Sequence, residues 1–358
     1  MRRRWKYCRS KQVRRVLLPP AISAEPVPAG AGIVDFGGAS MGTTWSARVA
    51  LAPSAMAAGA PLRAAGLQAG LQEQLDQVVA QMSHWEPASD LGRFNRAGAC
   101  TWHTLPTDFF EVLKYALDVA RESGGACDPC AGLLVNLWGF GPTGRYDQPG
   151  FVPPTARDVA TVRAGMAGRV VELDIPRQRA FQPGGVQLDL SAVAKGFSVD
   201  KLAHYLEGQG CRHYLVEVGG ELRGAGFKPD GQPWWVALEE PQAPGAGRAG
   251  EIAVALHGLA VATSGDYRKY FMQDVQRRPH TIDPRSGMPI TNAVASVTVV
   301  HDSAMAADAW STALTVLGPE QGLALAERKR LAARFLLREG NGLREILSSR
   351  FQKMLEEE

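Results

Sequence analysis

What most narrows the fold of this chain is a train of short apolar runs between residues 213 and 301. Each is cut by glycine or proline before it reaches helix length. The runs are HYLVEVGG (213–220), LRGAG (222–226), WWVALEEP (234–241), EIAVALHG (251–258), GLAVATSG (258–265) and SVTVVH (296–301). Apolar stretches of this length between turn-forming residues read as strands, and short glycine connections read as hairpins. Further strands are expected in IVDF and WSARVAL, on either side of the GGASMGTT turn (33–50), and in VVELDI, RAFQ and VQLDLS (170–191). Helical spacing marks 62–82, with Leu67, Leu71, Leu75 and Val78 on one face, and also 108–122, 193–209, 303–316, 319–330 and 340–355. Thr107-Asp108, Thr155 and Ser191 are candidate helix caps. Residues 51–61 read as a linker and 139–154 as a loop. Strands that follow one another in hairpins, with helices on one face, predict an α+β fold rather than an alternating βαβ sheet.

Charge divides the chain in two. The formal net charge of +3 is a tail of +7 over residues 1–28 attached to a body of −4. A mildly acidic body disfavours a basic-groove nucleic-acid binder. The tail is basic but has only Val16-Leu17-Leu18 before Pro19-Pro20, short of the apolar core of a secretory signal. Arg14-Arg15 is a weak twin-arginine look-alike. The tail (1–30) is therefore read as disordered, ahead of a domain over 31–340 and a helical C-terminal extension over 341–358. No apolar run approaches the ~18 residues of a membrane-spanning helix.

Several short patterns carry possible chemistry. Gly38-Ala39-Ser40-Met41-Gly42 matches G-x-S-x-G, but a strand follows it where a nucleophile elbow needs a helix. It reads as a tight turn whose backbone N–H groups can meet a ligand. Asp308, Ser311 and Thr312 share one helix face, an all-oxygen set suited to a hard cation such as Mg²⁺, or a polar stripe on an exposed helix. Lys195 falls in the first turn of the helix that follows Asp189, where bound anions gather, or else it is a solvent-exposed side chain. His280 and Asp283 stand together in a turn-rich segment, and His280 is a candidate base, although loop histidines are commonly not catalytic. Cys127-Asp128-Pro129-Cys130 is a CxxC without the second half of a zinc site, leaving a thiol redox centre or an incidental pair. A glycine turn, an anion-facing helix start, a hard-metal helix face and a base together suit a nucleotide diphosphate bound with Mg²⁺.

The order of these segments resembles the ApbE family of FAD:protein FMN transferases. The matching stretches are SMGTTW (40–45), MSHWEPASDLGRFN (82–95), CDPCAGLLVNLWGFGP (127–142), LDLSAVAKGFSVD (188–200), YLVEVGGELRGAG (214–226), ATSGDYRKYF (262–271), HTIDPRSGMPI (280–290), SVTVV (296–300) and ADAWSTALTVLGPEQG (307–322). They cover about residues 33–335 in the family's order. The resemblance implies a two-lobed α+β fold with antiparallel and mixed sheets, packed helices and an FAD cleft between the lobes. It implies a Mg²⁺-dependent transfer of FMN from FAD to a Thr or Ser of an acceptor protein, with AMP released. Some relatives instead hydrolyse FAD to FMN and AMP. The implied acceptors are flavin-carrying subunits of respiratory or redox complexes, such as sodium-pumping NADH:quinone reductase, with membrane proximity through the acceptor and no nucleic-acid partner.

By family position the Mg²⁺ ligands are Asp308, Ser311, Thr312 and the backbone carbonyl of Ala192, and His280 is the general base. The implied FAD contacts are Met41, Trp85, Ala126, Cys127, Asp128, Asp189, Lys195 and Ile282. Trp85 stands where relatives often carry Tyr, and Ser311 where some carry a carboxylate, which removes a negative charge from the metal site. Asp128-Pro129-Cys130 replaces a DPT-like stretch, so the CxxC reads as a local variation near the flavin. The family implies a periplasmic or inner-membrane periplasmic setting, whereas the tail shows no clear signal peptide or lipobox. A cytoplasmic setting stays open.

Overall fold

The computed structural model describes residues 13–21, 25–56, 64–241 and 251–357. Its centre is an eight-stranded sheet made of β1 (Gly32–Ser40), β2 (Thr43–Leu51), β3 (Tyr214–Val218), β4 (Glu221–Ala225), β5 (Leu259–Gly265), β6 (Val294–His301), β7 (Ala332–Glu339) and β8 (Gly342–Leu347). Every neighbouring pair is antiparallel, and each strand lies beside its neighbour in this series. The sheet is thus a meander whose connections, in places, have grown into whole subdomains. Three helices cover one face: α1 (Ala64–Met82), α2 (Ala194–Gly208) and α3 (Ala304–Lys329).

Alternation along the strands explains why they are apolar throughout. Ala260 and Ala262 face the helices, whereas Leu259 and Val261 face the other way. Val297 and Val299 likewise pack under α3, and Val300 packs on the far face. That far face is closed by a second sheet, in which Glu251–Leu256 lies between Trp234–Ala237 and Val13–Leu17. A sheet covered on both sides carries hydrophobic residues in both registers. The α+β expectation is met: the long helices lie on one face, as expected, and a second sheet covers the other.

A further subdomain sits between β2 and β3. It contains helices Asp90–Asn95, Thr107–Glu122, Gly132–Leu137 and Ala156–Met166, with a three-stranded sheet built on Arg179–Gln182. Its core runs without a break into the core beneath α3: Phe109, Phe110, Leu113, Leu188 and Leu190 share one buried cluster with Trp310, Leu314 and Phe335.

Several expectations are corrected. The C-terminal extension is not helical: Gly342–Leu347 pairs with β7, and only Ser349–Gln352 forms a helical turn. The tail is not wholly disordered. Residues 1–12 and 22–24 lie outside the described residues, but Val13–Leu17 is a strand parallel to Glu251–Leu256 and antiparallel to Leu355–Glu357. Leu17 is fully buried, and Arg15 makes an ion pair with Glu345 at 2.5 Å. VQLDLS runs extended with a single bridge, Ala131 to Gln187, and VVELDI contributes only Leu173–Asp174. Ser191 does not cap α2, whose capping position is Val193 with no side-chain bond, and Pro106 rather than Thr107 or Asp108 holds the cap of Thr107–Glu122. Thr155 does cap its helix, in a reciprocal box with Asp158. The two helices expected at 303–316 and 319–330 abut as α3, broken at Gly318, where φ is 78°. No described helix is long and apolar enough to cross a membrane.

Candidate active site

The site forms where α2 begins, beside the middle of α3's first half and the end of β5. Gly196 makes this possible. A Cβ on it would stand 2.2 Å from the Ala304 carbonyl oxygen and 2.7 Å from the Asp308 Cβ, so only glycine lets the helices meet here. Its N–H donates to Asp308 Oδ2 at 2.9 Å. Asp308 is 3% exposed. Burial pushes its carboxyl above the usual range, against the pull of the Lys195 charge and the Gly196 bond. The expected exposed helix face is thus a buried one.

Lys195 bridges outward. Its Nζ is ion-paired with Glu221, which begins β4 directly after the Gly219-Gly220 turn. Burial draws the Lys195 pKa down, but the Asp308 and Glu221 charges outweigh it and hold the ammonium protonated above its ordinary range. Burial pushes the Glu221 carboxyl up; Lys195 opposes the shift and Asp308 adds to it. Glu221 Oε2 is buried and meets no hydrogen-bond partner among the described residues. One cation thus stands between two buried carboxylates.

The hydroxyls on α3 form a directed chain. Ser311 donates to the Asp308 carbonyl oxygen at 2.9 Å, which uses its only proton. Ser264, on β5, lies 2.8 Å from both Ser311 Oγ and Thr312 Oγ1. Ser264 must therefore donate to Ser311, and Thr312 donates to Ser264. That leaves Thr312 Oγ1 with its lone pairs uncommitted, whereas Ser311 is fully buried at the helix–sheet seam. Ala192 lies in the turn just before α2.

The 127–130 turn and Asp189 close another side. Asp189 N–H donates to the Pro129 carbonyl at 2.8 Å, and Asp128 Oδ1 accepts from the Cys130 N–H at 2.9 Å. Burial pushes the Cys127 thiol up to about 12, with the nearby charges of Asp308, Asp128 and Asp189 adding to it. Burial also lifts the Cys130 thiol well above its ordinary value, and both are free thiols. A redox CxxC depends on a lowered thiol pKa, so this pair runs the wrong way for one.

His84, passed over in the sequence, has its Nδ1 3.5 Å from Asp189 Oδ1 and its ring 5.4 Å from that of Trp85. Trp85 is half exposed, and the Arg145 guanidinium lies 5.5 Å from its ring centre. Met41 and Gly42 form the two-residue β1–β2 turn, both at positive φ (50° and 70°), with Ser40 paired to Thr43. This is the hairpin geometry that suits strand twist, and packing against both helix-side clusters holds Met41 in it.

His280 follows the Gln276–Pro279 strand. Its Nδ1 lies 3.2 Å from the Lys269 carbonyl oxygen, which can only accept, so Nδ1 carries the proton and Nε2 the lone pair. Burial lowers its pKa to about 4, and the charges of Lys269 and Lys195 contribute. Ala126 and Ile282 are buried in two small flanking clusters, with Ile290 and Val316 and with Leu134 and Trp138 respectively. The charges of Asp308, Asp128 and Asp189 all act on Cys127, those of Asp308 and Glu221 act on Lys195, and that of Lys195 acts on His280, which links these residues in one electrostatic neighbourhood. Glu221, Ser264 and His84 are additions that the sequence had signalled only by lying inside conspicuous motifs.

A part-exposed lysine between two buried carboxylates, a helix start and an all-oxygen edge suit a phosphate-bearing substrate. Comparison with known proteins gives the class. The FAD:protein FMN transferase of Vibrio cholerae (strain O395) is 37% identical over 329 residues, covering 90% of this chain and 92% of that protein. That of Escherichia coli K12 is 34% identical over 321 residues, covering 89% and 88%. The apo flavinyl transferase ApbE of Pseudomonas stutzeri matches with a TM-score of 0.80 at 37% identity, over 90% of this chain and 97% of that one. These similarities make the protein a transferase. A profile of the ApbE family matches residues 41–335, and the chain belongs to that family.

Proposed function

We propose that the protein transfers FMN from FAD to a Thr or Ser hydroxyl of an acceptor protein, with Mg²⁺, releasing AMP. The observation that carries this reading is the Glu221–Lys195–Asp308 cluster at the start of α2, beside the free oxygen of Thr312. Phosphoryl transfer asks mainly for positioning and charge neutralisation. Lys195 supplies a positive charge for the pyrophosphate, and the dipole of α2 adds to it. The donor set fits a hard cation: one buried carboxylate on Asp308, the Thr312 hydroxyl and the Ala192 carbonyl are all oxygen. Ser311 is better read as a positioning residue, because its hydroxyl is spent on the Asp308 carbonyl and Ser264. Bound there, Mg²⁺ would supply charge neutralisation at the pyrophosphate.

The acceptor oxygen forms a bond to the phosphorus on the FMN side as the bond to AMP breaks. The hydroxyl proton passes to Nε2 of His280. Trp85 offers a ring face for stacking, and His84 steadies Asp189.

The test is to incubate the protein with FAD, Mg²⁺ and the flavin-carrying subunit of a sodium-pumping NADH:quinone reductase. The expected result is an FMN mass on the acceptor and a matching amount of AMP. FMN and AMP formed at a rate the acceptor does not raise would make the protein an FAD pyrophosphatase instead.

A further inference from the structure

The hairpin of Tyr270–Gln273 and Gln276–Pro279 has no part in the chemistry above, yet it ends on His280. Alternation gives it two unlike faces. Phe271 turns inward and is held in an aromatic cluster, with ring centres 5.7 Å from Phe140, 5.9 Å from Tyr146 and 5.2 Å from Phe151. Tyr270 and Met272 turn outward, 42% and 56% exposed, and Val275 at the tip is 92% exposed. Exposed apolar residues grouped on one rigid element mark an interaction site, whereas scattered ones do not.

Charge singles out the same element. Residues 267–280 hold four basic side chains and one acid, Asp274, on a body that is net acidic. Arg268 is neutralised by Glu239. Arg277 instead donates to the Asp266 carbonyl at 2.8 Å and lies 4.0 Å from the Tyr270 ring centre. Arg278 donates to Gln273 Oε1 at 2.9 Å and faces the Trp138 ring. Lys269 is exposed, and its carbonyl accepts the His280 N–H at 3.0 Å. Among the described residues, Lys269, Arg277 and Arg278 are thus without a carboxylate partner, on an element that leads directly into His280. The outer edges of this two-stranded ribbon pair with no further strand among the described residues, so they offer backbone groups to an incoming chain.

We propose that this hairpin docks the acceptor polypeptide, receiving a segment that bears acidic and apolar side chains and delivering its hydroxyl to His280. The proposal rests on the reading of the protein as a flavin transferase. A docking element continuous with the base fixes the distance from the docked segment to the reacting atoms, because Phe271 clamps the ribbon and the Lys269 carbonyl clamps the imidazole. An anionic membrane could also meet a basic, apolar tip, but it would bring no hydroxyl to His280.

The test uses the full chain, Met272→Glu/Val275→Glu and Val275→Glu alone. Each is titrated calorimetrically with the flavin-carrying subunit of sodium-pumping NADH:quinone reductase, then assayed for FMN transfer. The double variant should bind the acceptor at least about tenfold more weakly and raise its KM by a similar factor, with kcat little changed. FAD affinity should stay within about twofold, which also reports that the variant is folded. Wild-type acceptor binding should weaken as salt rises through the range where surface charge is screened. Acceptor binding and KM unchanged in the double variant would overturn the proposal. So would intact acceptor binding alongside lost binding to phosphatidylglycerol vesicles, which would make the hairpin a membrane contact. Wild-type enzyme that binds the acceptor yet moves no FMN would sink the transferase reading, while the calorimetry would still decide the docking.

Discussion

At the scale of single residues, His280 and the hydroxyl chain make the sharpest expectations. A base must be neutral to accept a proton, and burial lowers the His280 pKa from the ordinary 6.5 to about 4. Its base form is therefore already in place at pH 6, and its protonation should limit transfer only as pH falls toward 4. A pH–rate profile should show no limb near 6.5 from this group, and His280→Ala should slow chemistry far more than FAD binding. The stability sign follows. The folded pKa lies below the unfolded one, so the unfolded chain takes up the proton first. Stability from this group is complete above about 6.5 and is lost as pH falls toward 4. For the metal, Asp308 is the one carboxylate of the proposed donor set. Asp308→Asn should abolish Mg²⁺ binding measured calorimetrically while keeping the fold, since a carboxyl disfavoured by burial is replaced by a neutral amide. Ser264→Ala should weaken binding by about ten- to a hundredfold by freeing Thr312 to turn, the usual effect of losing an outer partner. Unchanged binding in Ser264→Ala would mean that the hydroxyl chain does not orient the ligand. These residues differ in how readable they were. Asp308 and Thr312 stand out as oxygen donors at helical spacing, whereas Ser264 joins them only because β5 ends against α3, a contact no spacing reveals.

At the scale of elements, close approach and broken periodicity decide the rest. Gly196 lets α2 start against α3, so Gly196→Ala should push the helices apart and misplace both Lys195 and Asp308. Mg²⁺ binding should fall with it, and a variant that binds Mg²⁺ normally would show that the helices can give. Where α3 breaks at Gly318, Asn292 Nδ2 donates to the Thr315 carbonyl at 3.0 Å and reaches the Val316 carbonyl. Asn292→Ala should cost about 1–3 kcal/mol in a denaturant melt through the unpaired carbonyls. The break was legible because Gly318-Pro319 ends a helical pattern wherever it occurs. VQLDLS was misread because alternation reports an extended backbone, with or without a ladder: Val186, Leu188 and Leu190 are all buried against neighbouring helices while the segment makes one bridge. Residues 340–355 misled for the converse reason. Leu343, Ile346, Leu347 and Phe351 keep helical spacing, but Glu339 pairs with Gly342 across Gly340-Asn341, a two-residue hairpin turn with Gly340 at φ 57°. That turn was the available signal, and the pairing β7 offers outweighed local helix propensity.

At the scale of the whole molecule, the first and last strands of the described residues meet. Val13–Leu17 lies between Glu251–Leu256 and Leu355–Glu357 in the sheet that closes the far face of the meander. Composition could not show this, because a basic segment with three apolar residues resembles a solvated tail, and its partners are hundreds of residues away. The buried Arg334 explains the basic character in part. It pairs with Glu240 at 2.8 Å and Glu345 at 2.7 Å, and Arg15 supplies Glu345 with a second cation. The strand thus adds both apolar cover and charge balance to the face opposite the active site. Leu17 packs there with Trp234, Ile252, Val254, Phe351 and Met354. Leu17→Ala should therefore cost about 2–5 kcal/mol, as truncation of a fully buried leucine does. The loss should appear as a lower denaturation midpoint, while FAD affinity and Mg²⁺ affinity of the folded protein stay unchanged, because the meander lies between this strand and the site. Arg15→Ala should cost less, since Arg334 still pairs with Glu345. A Leu17→Ala protein as stable as the parent would mean that the strand does not form part of the folded sheet in solution.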